Sequence, residues 1–228
     1  MAYIHQINKF DIDNDFGQGP VVSVFFNFCS FHCPQCWNQD TWDRKEDLYW
    51  DNDEAVRVIV DALQSQLIKR GMQPNLSLLG GDPIVVENID STIYIIDQVR
   101  KQIPDVKIAV WTGFDIEDWY KTDKFEKQKT ILPRINYLID GRFVYKLKTK
   151  NQMFGSINQR VIDTQKFITQ NLDIKENIIT SLAYPNVHLS VIEKSGYHTT
   201  PFELMQKYIQ SDYRSYTRSV LADVKAST

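Results

Sequence analysis

The sequence predicts an α/β fold built on a mostly parallel sheet, and three observations carry that prediction. Short runs rich in β-branched and aromatic residues alternate with longer stretches of helical periodicity between residues 21 and 139. Gly and Pro punctuate the transitions, at Gly71, Gly80-Gly81 and Pro104. The chain has 228 residues, 43% of them hydrophobic, enough for one domain with a sizeable core, or one domain with an appendage. With 12% aromatics and only nine Gly and eight Pro, the chain is neither globally disordered nor of low complexity.

Residues 21–27 read as a buried strand closed by a cysteine-bearing loop. Residues 53–70 read as a helix, with Val56, Ile59, Val60, Leu63 and Leu67 on its inward face and Gly71 as its stop. Residues 76–79 are a short apolar strand that runs directly into Gly80-Gly81-Asp82-Pro83. A second helix covers about 88–102, with Ile89, Ile93, Ile96 and Val99 inward, and Pro104 breaks it. A strand at 106–112, a helical piece near 115–120, a solvated charged segment at 121–129 and a strand at 137–139 follow, the last ending at Asp140-Gly141-Arg142. Beyond about Ile168 the pattern changes. Residues 177–192 suggest short strands, and Thr200-Pro201-Phe202-Glu203 is a capping box with Pro at the first helical position. The helix it opens carries Phe202, Met205, Ile209, Tyr213, Tyr216 and Val220 on one stripe. In a β-α-β-α-β alternation, functional groups gather at the carboxyl ends of the strands. The cysteine loop, the Gly-Gly turn, Thr112 and Asp140 all fall at such ends.

Twenty-six Lys and Arg against 29 Asp and Glu leave a formal charge of −3, so no global basic field exists to hold a phosphate backbone, and no nucleic-acid partner is expected. The longest apolar stretches, such as 21–26, fall far short of the roughly 20 residues of a membrane span. Asp11, Asp13 and Asp15 stand where a signal peptide needs an apolar run. The expectation is a cytoplasmic protein with no membrane partner.

All three cysteines, Cys29, Cys33 and Cys36, lie in one eight-residue window. That is no disulfide framework, which wants an even number spread along the chain; clustered thiols in a reducing compartment point to metal or redox chemistry. Three thiolates at this spacing can grip one compact soft-metal site. An iron–sulfur cube has four iron corners, so three protein ligands leave one iron open to a small molecule, and an open position means chemistry rather than scaffolding. Pro34 biases Cys33 toward extended backbone, which helps a short loop wrap a cluster. The alternatives are three incidental thiols, or a zinc site completed by His32 or by a distant His. His32 adjoins Cys33, an awkward spacing for chelating one ion, and His5, His188 and His198 are remote in sequence.

The Cys29-x-x-x-Cys33-x-x-Cys36 spacing after the first of these strands resembles the signature of radical S-adenosylmethionine enzymes. Gly80-Gly81-Asp82-Pro83 resembles that family's Gly-Gly-Glu-Pro turn, whose backbone receives the methionine amino group of S-adenosylmethionine. Cys36-Trp37-Asn38, Trp111-Thr112-Gly113-Phe114, Asp140-Gly141-Arg142-Phe143 and Gly155-Ser156-Ile157-Asn158-Gln159-Arg160 resemble successive motifs of the anaerobic ribonucleotide reductase activating proteins. The match runs from about 16 to 165. Singly, each segment has a bland reading: a turn at Gly80-Gly81, a strand cap at Thr112, a core position at Trp37, a turn at Asp140-Gly141. Order, spacing and shared strand-end placement argue for them jointly. Two departures stand out. Val21 replaces the Arg that usually closes a Gly-x-Gly-x-Arg segment, here Gly17-Gln18-Gly19-Pro20-Val21. Gln35 takes the place before the third cysteine where the superfamily prefers an aromatic, whereas Trp37 matches the later position typical of the activators.

The resemblance implies a partial (β/α) barrel of the radical S-adenosylmethionine type over residues 1–167 and a C-terminal extension of unassigned role over 168–228. It implies a [4Fe-4S] cluster on Cys29, Cys33 and Cys36 and S-adenosylmethionine as cofactors. Gln35, Trp37, Gly80, Gly81, Asp82, Pro83, Thr112, Asp140 and Arg142 are the candidate cofactor-binding residues, with no catalytic side chain beyond the cluster ligands. The implied activity is an oxidoreductase's: through a 5′-deoxyadenosyl radical, it installs a glycyl radical on anaerobic ribonucleoside-triphosphate reductase. The glycyl radical subunit of that reductase and an electron donor such as a flavodoxin are the implied partners. Activation of another glycyl radical enzyme, of the pyruvate formate-lyase type, is one alternative. A non-catalytic zinc-binding interaction module is the other.

Overall fold

The computed structural model describes residues 1–12, 19–71, 74–148, 155–156 and 158–169. The strands expected at 177–192 and the helix expected from Pro201 lie outside the described residues, as do Gly17, Gln18 and Ile157.

The β-branched and aromatic runs become strands β1 (Ala2–Asp11), β2 (Val21–Phe26), β3 (Tyr49–Trp50), β4 (Asn75–Gly80), β5 (Ile108–Trp111), β6 (Tyr137–Asp140) and β7 (Arg160–Asp163). They form one sheet in the order β3-β1-β2-β4-β5-β6-β7. The four central strands, β2, β4, β5 and β6, are parallel, in register from Val21 opposite Asn75 to Phe26 opposite Gly80 at the first interface. Both flanks are antiparallel: β1 runs against β2 and β3, and β7 against β6. The expected mostly parallel sheet is therefore a parallel centre with antiparallel edges. Neither β1 nor β7 was anticipated as a strand. In β1 only Ala2, Tyr3 and Ile4 are buried, so its pairing rather than an apolar pattern defines it. β7 is four residues long and takes its place from its ladder with β6.

Helices α1 (Asn52–Arg70), α2 (Ile89–Gln102), α3 (Ile116–Trp119), α4 (Glu126–Lys129) and α5 (Thr164–Thr169) connect or follow these strands. Asp51 caps α1 by accepting from the Asp53 and Glu54 amides, and Gly71 closes it in the left-handed region at φ +62°. Val56, Ile59, Val60 and Leu63 are buried as expected, but Leu67 is 43% exposed because the last turn of α1 runs past the core. On α2 the buried stripe is Ile89, Ile95, Ile96 and Val99; Ile93 only borders it.

One face of the sheet, through Val22, Val24, Leu76, Leu78, Ile108, Val110, Leu138 and Ile162, joins the helices in the main core. The opposite face carries a second, smaller apolar cluster of Val21, Ala109, Ile139 and Val161, with Trp111 and Tyr137 against it, and two buried serines. Ser23 stands opposite Ser77 and Ser77 opposite Ala109, and the Trp111 indole donates to Ser77 Oγ at 2.9 Å. The charged segment 121–129 is not simply solvated: Gln128 is buried, its Nε2 donates to the Ile84 carbonyl at 3.0 Å, and Phe125 packs against the core. Among the described residues, no helix is long and apolar enough to cross a membrane.

Candidate metal centre

β2 delivers the chain to the cysteine loop, and neighbouring strand ends hold that loop in place. The Phe28 amide donates to the Thr41 carbonyl at 2.7 Å and the Cys29 amide to the Trp42 carbonyl at 3.1 Å, which pins the loop's first residues to the segment that follows it. Three non-glycine residues of the loop have positive φ: Phe28 at 80°, His32 at 45° and Gln35 at 58°. For a bulky residue such as Phe28 this is a sparsely populated conformation, retained only where the surroundings over-determine it.

The thiols are half-buried. Burial pushes Cys29 up to about 11, opposed by the backbone N–H groups of Phe31 and His32 directed at its sulfur. Burial and the neighbouring Cys36 raise Cys33, opposed by the Phe143 amide and the Arg142 charge. The Asn38 amide donates to Cys36 Sγ at 3.4 Å. Each sulfur thus faces a backbone N–H donor, an arrangement that stabilises thiolate once a metal has displaced the proton. Three soft donors from one loop, each with a donor in reserve for its anionic form, fit an iron–sulfur cluster. Among the described residues, no three His, Cys, Asp or Glu side chains gather around one ion position. His32, one of the histidines that could complete a zinc site, stacks on Trp42 with ring centres 5.0 Å apart.

The Gly-Gly turn lies against this loop. Gly81 N–H donates to the Phe26 carbonyl at 2.8 Å and Asp82 N–H to the Phe28 carbonyl at 2.9 Å. A Cβ on Gly81 would stand 2.3 Å from Phe28 O, and one on Gly80, at φ +103°, would stand 2.7 Å from Phe25 Cα. The absent side chains therefore let β4 approach the chain's own β2 and cysteine loop, a contact that sequence reasoning had assigned to the ligand. Asp82 is buried, and its carboxylate accepts from Ile84 N at 2.9 Å, from Thr112 Oγ1 at 2.8 Å and from Gly113 N at 2.9 Å. Burial pushes this carboxyl up to about 6 against those bonds. Asp82 and Thr112 thereby tie the ends of β4 and β5 together, and Pro83 is buried beside them.

Asp140 is wholly buried at the end of β6. Its Oδ1 accepts from Arg160 Nε at 2.9 Å, and its Oδ2 accepts from Ile116 N at 3.0 Å and from Arg160 Nη2. Burial raises its carboxyl to about 6 in spite of Arg160. Arg160 also grips Glu117 through both terminal nitrogens, at 2.5 and 2.6 Å. Burial alone would lower the Arg160 pKa, but Glu117 and Asp140 outweigh it and keep the guanidinium charged. Asp140 is thus engaged as an anchor for Arg160.

The structure brings the expected site residues together pairwise: Asp82 and Cys33 act on Cys29, Cys36 and Arg142 act on Cys33, and the Arg142 guanidinium lies 4.5 Å from the centre of the Phe31 ring. Trp37 is 69% exposed and so is no core residue; Lys148 Nζ sits 5.0 Å from its ring centre. Gln35 is exposed. Sequence reasoning missed Asn88. Its Nδ2 donates to both the Asn27 and the Asp82 carbonyls at 2.9 Å, bridging the base of the cysteine loop to the turn. A lone Asn at a helix start carries no signal that could have revealed this. The Arg160–Glu117 pair, 43 residues apart, was equally invisible.

Comparison with known proteins agrees with this geometry. Residues 16–162 match the family described as "4Fe-4S single cluster domain", which defines the chain as a single-cluster iron–sulfur protein. The anaerobic ribonucleoside-triphosphate reductase-activating protein of Haemophilus influenzae is 31% identical over 145 residues, 63% of this chain and 87% of the relative. That of Escherichia coli K12 is 31% identical over 159 residues, covering 69% of this chain and 96% of the relative. That of enterobacteria phage T4 is 33% identical over 150 residues, 64% of this chain and 87% of the relative. The chain belongs to the family of anaerobic ribonucleoside-triphosphate reductase-activating proteins. No solved structure matches it significantly.

Proposed function

We propose that the chain is an iron–sulfur, S-adenosylmethionine-dependent activase that generates a glycyl radical on anaerobic ribonucleoside-triphosphate reductase. The observation that carries this reading is the three-cysteine loop locked, through Phe28, Asn88 and Asp82, onto the Gly-Gly turn at the next strand end. Cys29, Cys33 and Cys36 would hold the cluster, and the backbone of the turn, with Arg142, Trp37 and Gln35 on the rim, would hold S-adenosylmethionine. Together these two groups supply the one-electron chemistry that removes a hydrogen atom from a glycine.

The chain's own part is to position and to exclude water. Asp82 is spent on Thr112, Gly113 and Ile84, so it fixes the turn rather than reaching for a ligand. Phe31, Phe114 and Phe125 meet edge to face, with ring centres 4.7 and 5.2 Å apart, and wall one side of the loop with apolar surface. The parallel centre and its covering helices support reading the sheet as a partial (β/α) barrel over residues 1–167. A soluble, cytoplasmic protein and an electron donor of the flavodoxin kind complete the reading.

The test is anaerobic reconstitution followed by iron and sulfide analysis, reductive cleavage of S-adenosylmethionine, and detection of a glycyl radical on the reductase by electron paramagnetic resonance. Each of Cys29→Ala, Cys33→Ala and Cys36→Ala is expected to lose the four-iron cluster and all cleavage, because each thiolate serves a different iron. Full cleavage by any one of the three would overturn the ligand assignment.

A further inference from the structure

The chain following β6 has a charge pattern of which the activase reading uses Arg142 alone. From Gly141 to Ile162 there is no Asp or Glu, while Arg142, Lys146, Lys148, Lys150 and Arg160 all fall there, in a chain whose net charge is −3. Arg160 is consumed by Asp140 and Glu117. None of Arg142, Lys146 and Lys148 has an acidic partner among the described residues.

These cations lie against exposed aromatic and aliphatic surface. Lys148 Nζ is 5.0 Å from the Trp37 ring centre and 6.0 Å from that of Tyr145, and Arg142 covers Phe31. Trp37, Tyr145 and Val144 are 69%, 46% and 37% exposed. The surface also abuts the cluster ligands: Trp37 follows Cys36, and the Phe143 amide is directed at the Cys33 sulfur.

We propose that the surface formed by Val144, Tyr145, Lys146 and Lys148, bordering the rim residues Trp37 and Arg142, is the docking site for an acidic, low-potential one-electron donor protein. The proposal rests on the reading of the cysteine loop as the cluster site. Its step is a single electron passing from the donor to the cluster, the donor oxidised by one electron and the cluster reduced by one, with no bond made or broken. Electron transfer weakens steeply with distance, so the useful surface is the one nearest the sulfurs, and this segment reaches them. Encounters between electron-transfer proteins bury little area and are steered by complementary charge, which suits a patch of unpaired cations with a few aromatic contacts. A catalytic partner that has to insert a glycine into the site would need a larger and more apolar interface.

The test compares reconstituted parent with the Lys146→Glu/Lys148→Glu variant, using flavodoxin as the acidic donor and dithionite as a small reductant. Expected is a fall of at least about tenfold in flavodoxin-driven cleavage of S-adenosylmethionine at low salt, with dithionite-driven cleavage and iron content unchanged. The parent's flavodoxin-driven rate should drop with ionic strength while the variant's should not. Equal rates and equal salt dependence in the two proteins would overturn the proposal. So would intact cleavage with dithionite accompanied by loss of the glycyl radical, which would assign the patch to the reductase. Should the charge reversal impair cluster uptake, Lys146→Gln/Lys148→Gln decides by the same comparison. Calorimetric binding of flavodoxin to each protein reads the patch without turnover, so absence of cleavage in the parent, which would sink the activase reading, remains separable from failure of the docking surface.

Discussion

Asp82 is a buried carboxylate whose desolvation is only partly offset by three hydrogen bonds, and its titration offers a direct check on the remainder. Burial lifts its carboxyl from the ordinary 3.8 to about 6. Between those values the folded chain holds a proton that the unfolded chain has released, so the contribution of this group to stability is greatest below the unfolded pKa and is lost as pH rises through about 6. The span corresponds to at most about 3 kcal/mol. Asp82→Asn removes the titration, so urea denaturation at pH 4.5 and pH 7 should show a smaller loss of stability on raising the pH in the variant than in the parent. Identical pH dependence in both would mean that the carboxylate is ionised throughout. Asp140, also raised to about 6, contributes a decline of the same sign to both proteins and cancels in the comparison.

At the scale of elements, the Gly-Gly turn changes its meaning once the packing is known. Sequence reasoning places ligand over Gly81, from which Gly81→Val would weaken S-adenosylmethionine binding and spare the cluster. The structure puts Phe28 O at 2.3 Å from the added Cβ, and a carbonyl oxygen pinned by Asp82 N–H cannot give way cheaply. The expected outcome is now loss of cluster assembly together with loss of ligand binding, read as iron content after reconstitution; full iron content with weakened ligand binding would restore the first reading. The βα units were legible because their apolar periods are strong and Gly or Pro ends them. The antiparallel flanking strands β1 and β7 were not, because they take their form from pairing with their neighbours rather than from an apolar pattern of their own. For the same reason the three thiols and the turn could be read directly, while Asn88, Phe28 and the Arg160–Glu117 pair could not: a hydrogen bond across 61 residues or a strained φ leaves no local mark. Arg160 joins β6, β7 and α3, and Arg160→Met would leave Asp140 buried without its counter-ion. A loss of about 3–5 kcal/mol is expected in chemical denaturation, and a loss below about 1 kcal/mol would show that the carboxylate simply takes up a proton.

For the whole molecule, the open question is where the folding unit stops. The family match ends at residue 162, and the Escherichia coli K12 relative, 96% covered, aligns with only 69% of this chain. The described structure reaches a natural closure close to that limit. β7 completes the sheet at Asp163, and the Thr164 hydroxyl and the Gln165 amide group both donate to the Ile135 carbonyl, at 2.6 and 2.9 Å. Phe167, 2% exposed, seals α5 onto the main core. These contacts bury the last apolar side chain of the core among the described residues, so a chain ending at Thr169 should fold as a unit, take up iron to the parent's level and cleave S-adenosylmethionine with dithionite. Residues beyond 169 would then act in something other than assembly of the cluster site, and a comparison of glycyl radical yield on the reductase between full-length and shortened protein measures that contribution. If the shortened chain is instead recovered aggregated or without iron, the boundary expected at 167 is misplaced and the remainder of the chain is part of the core.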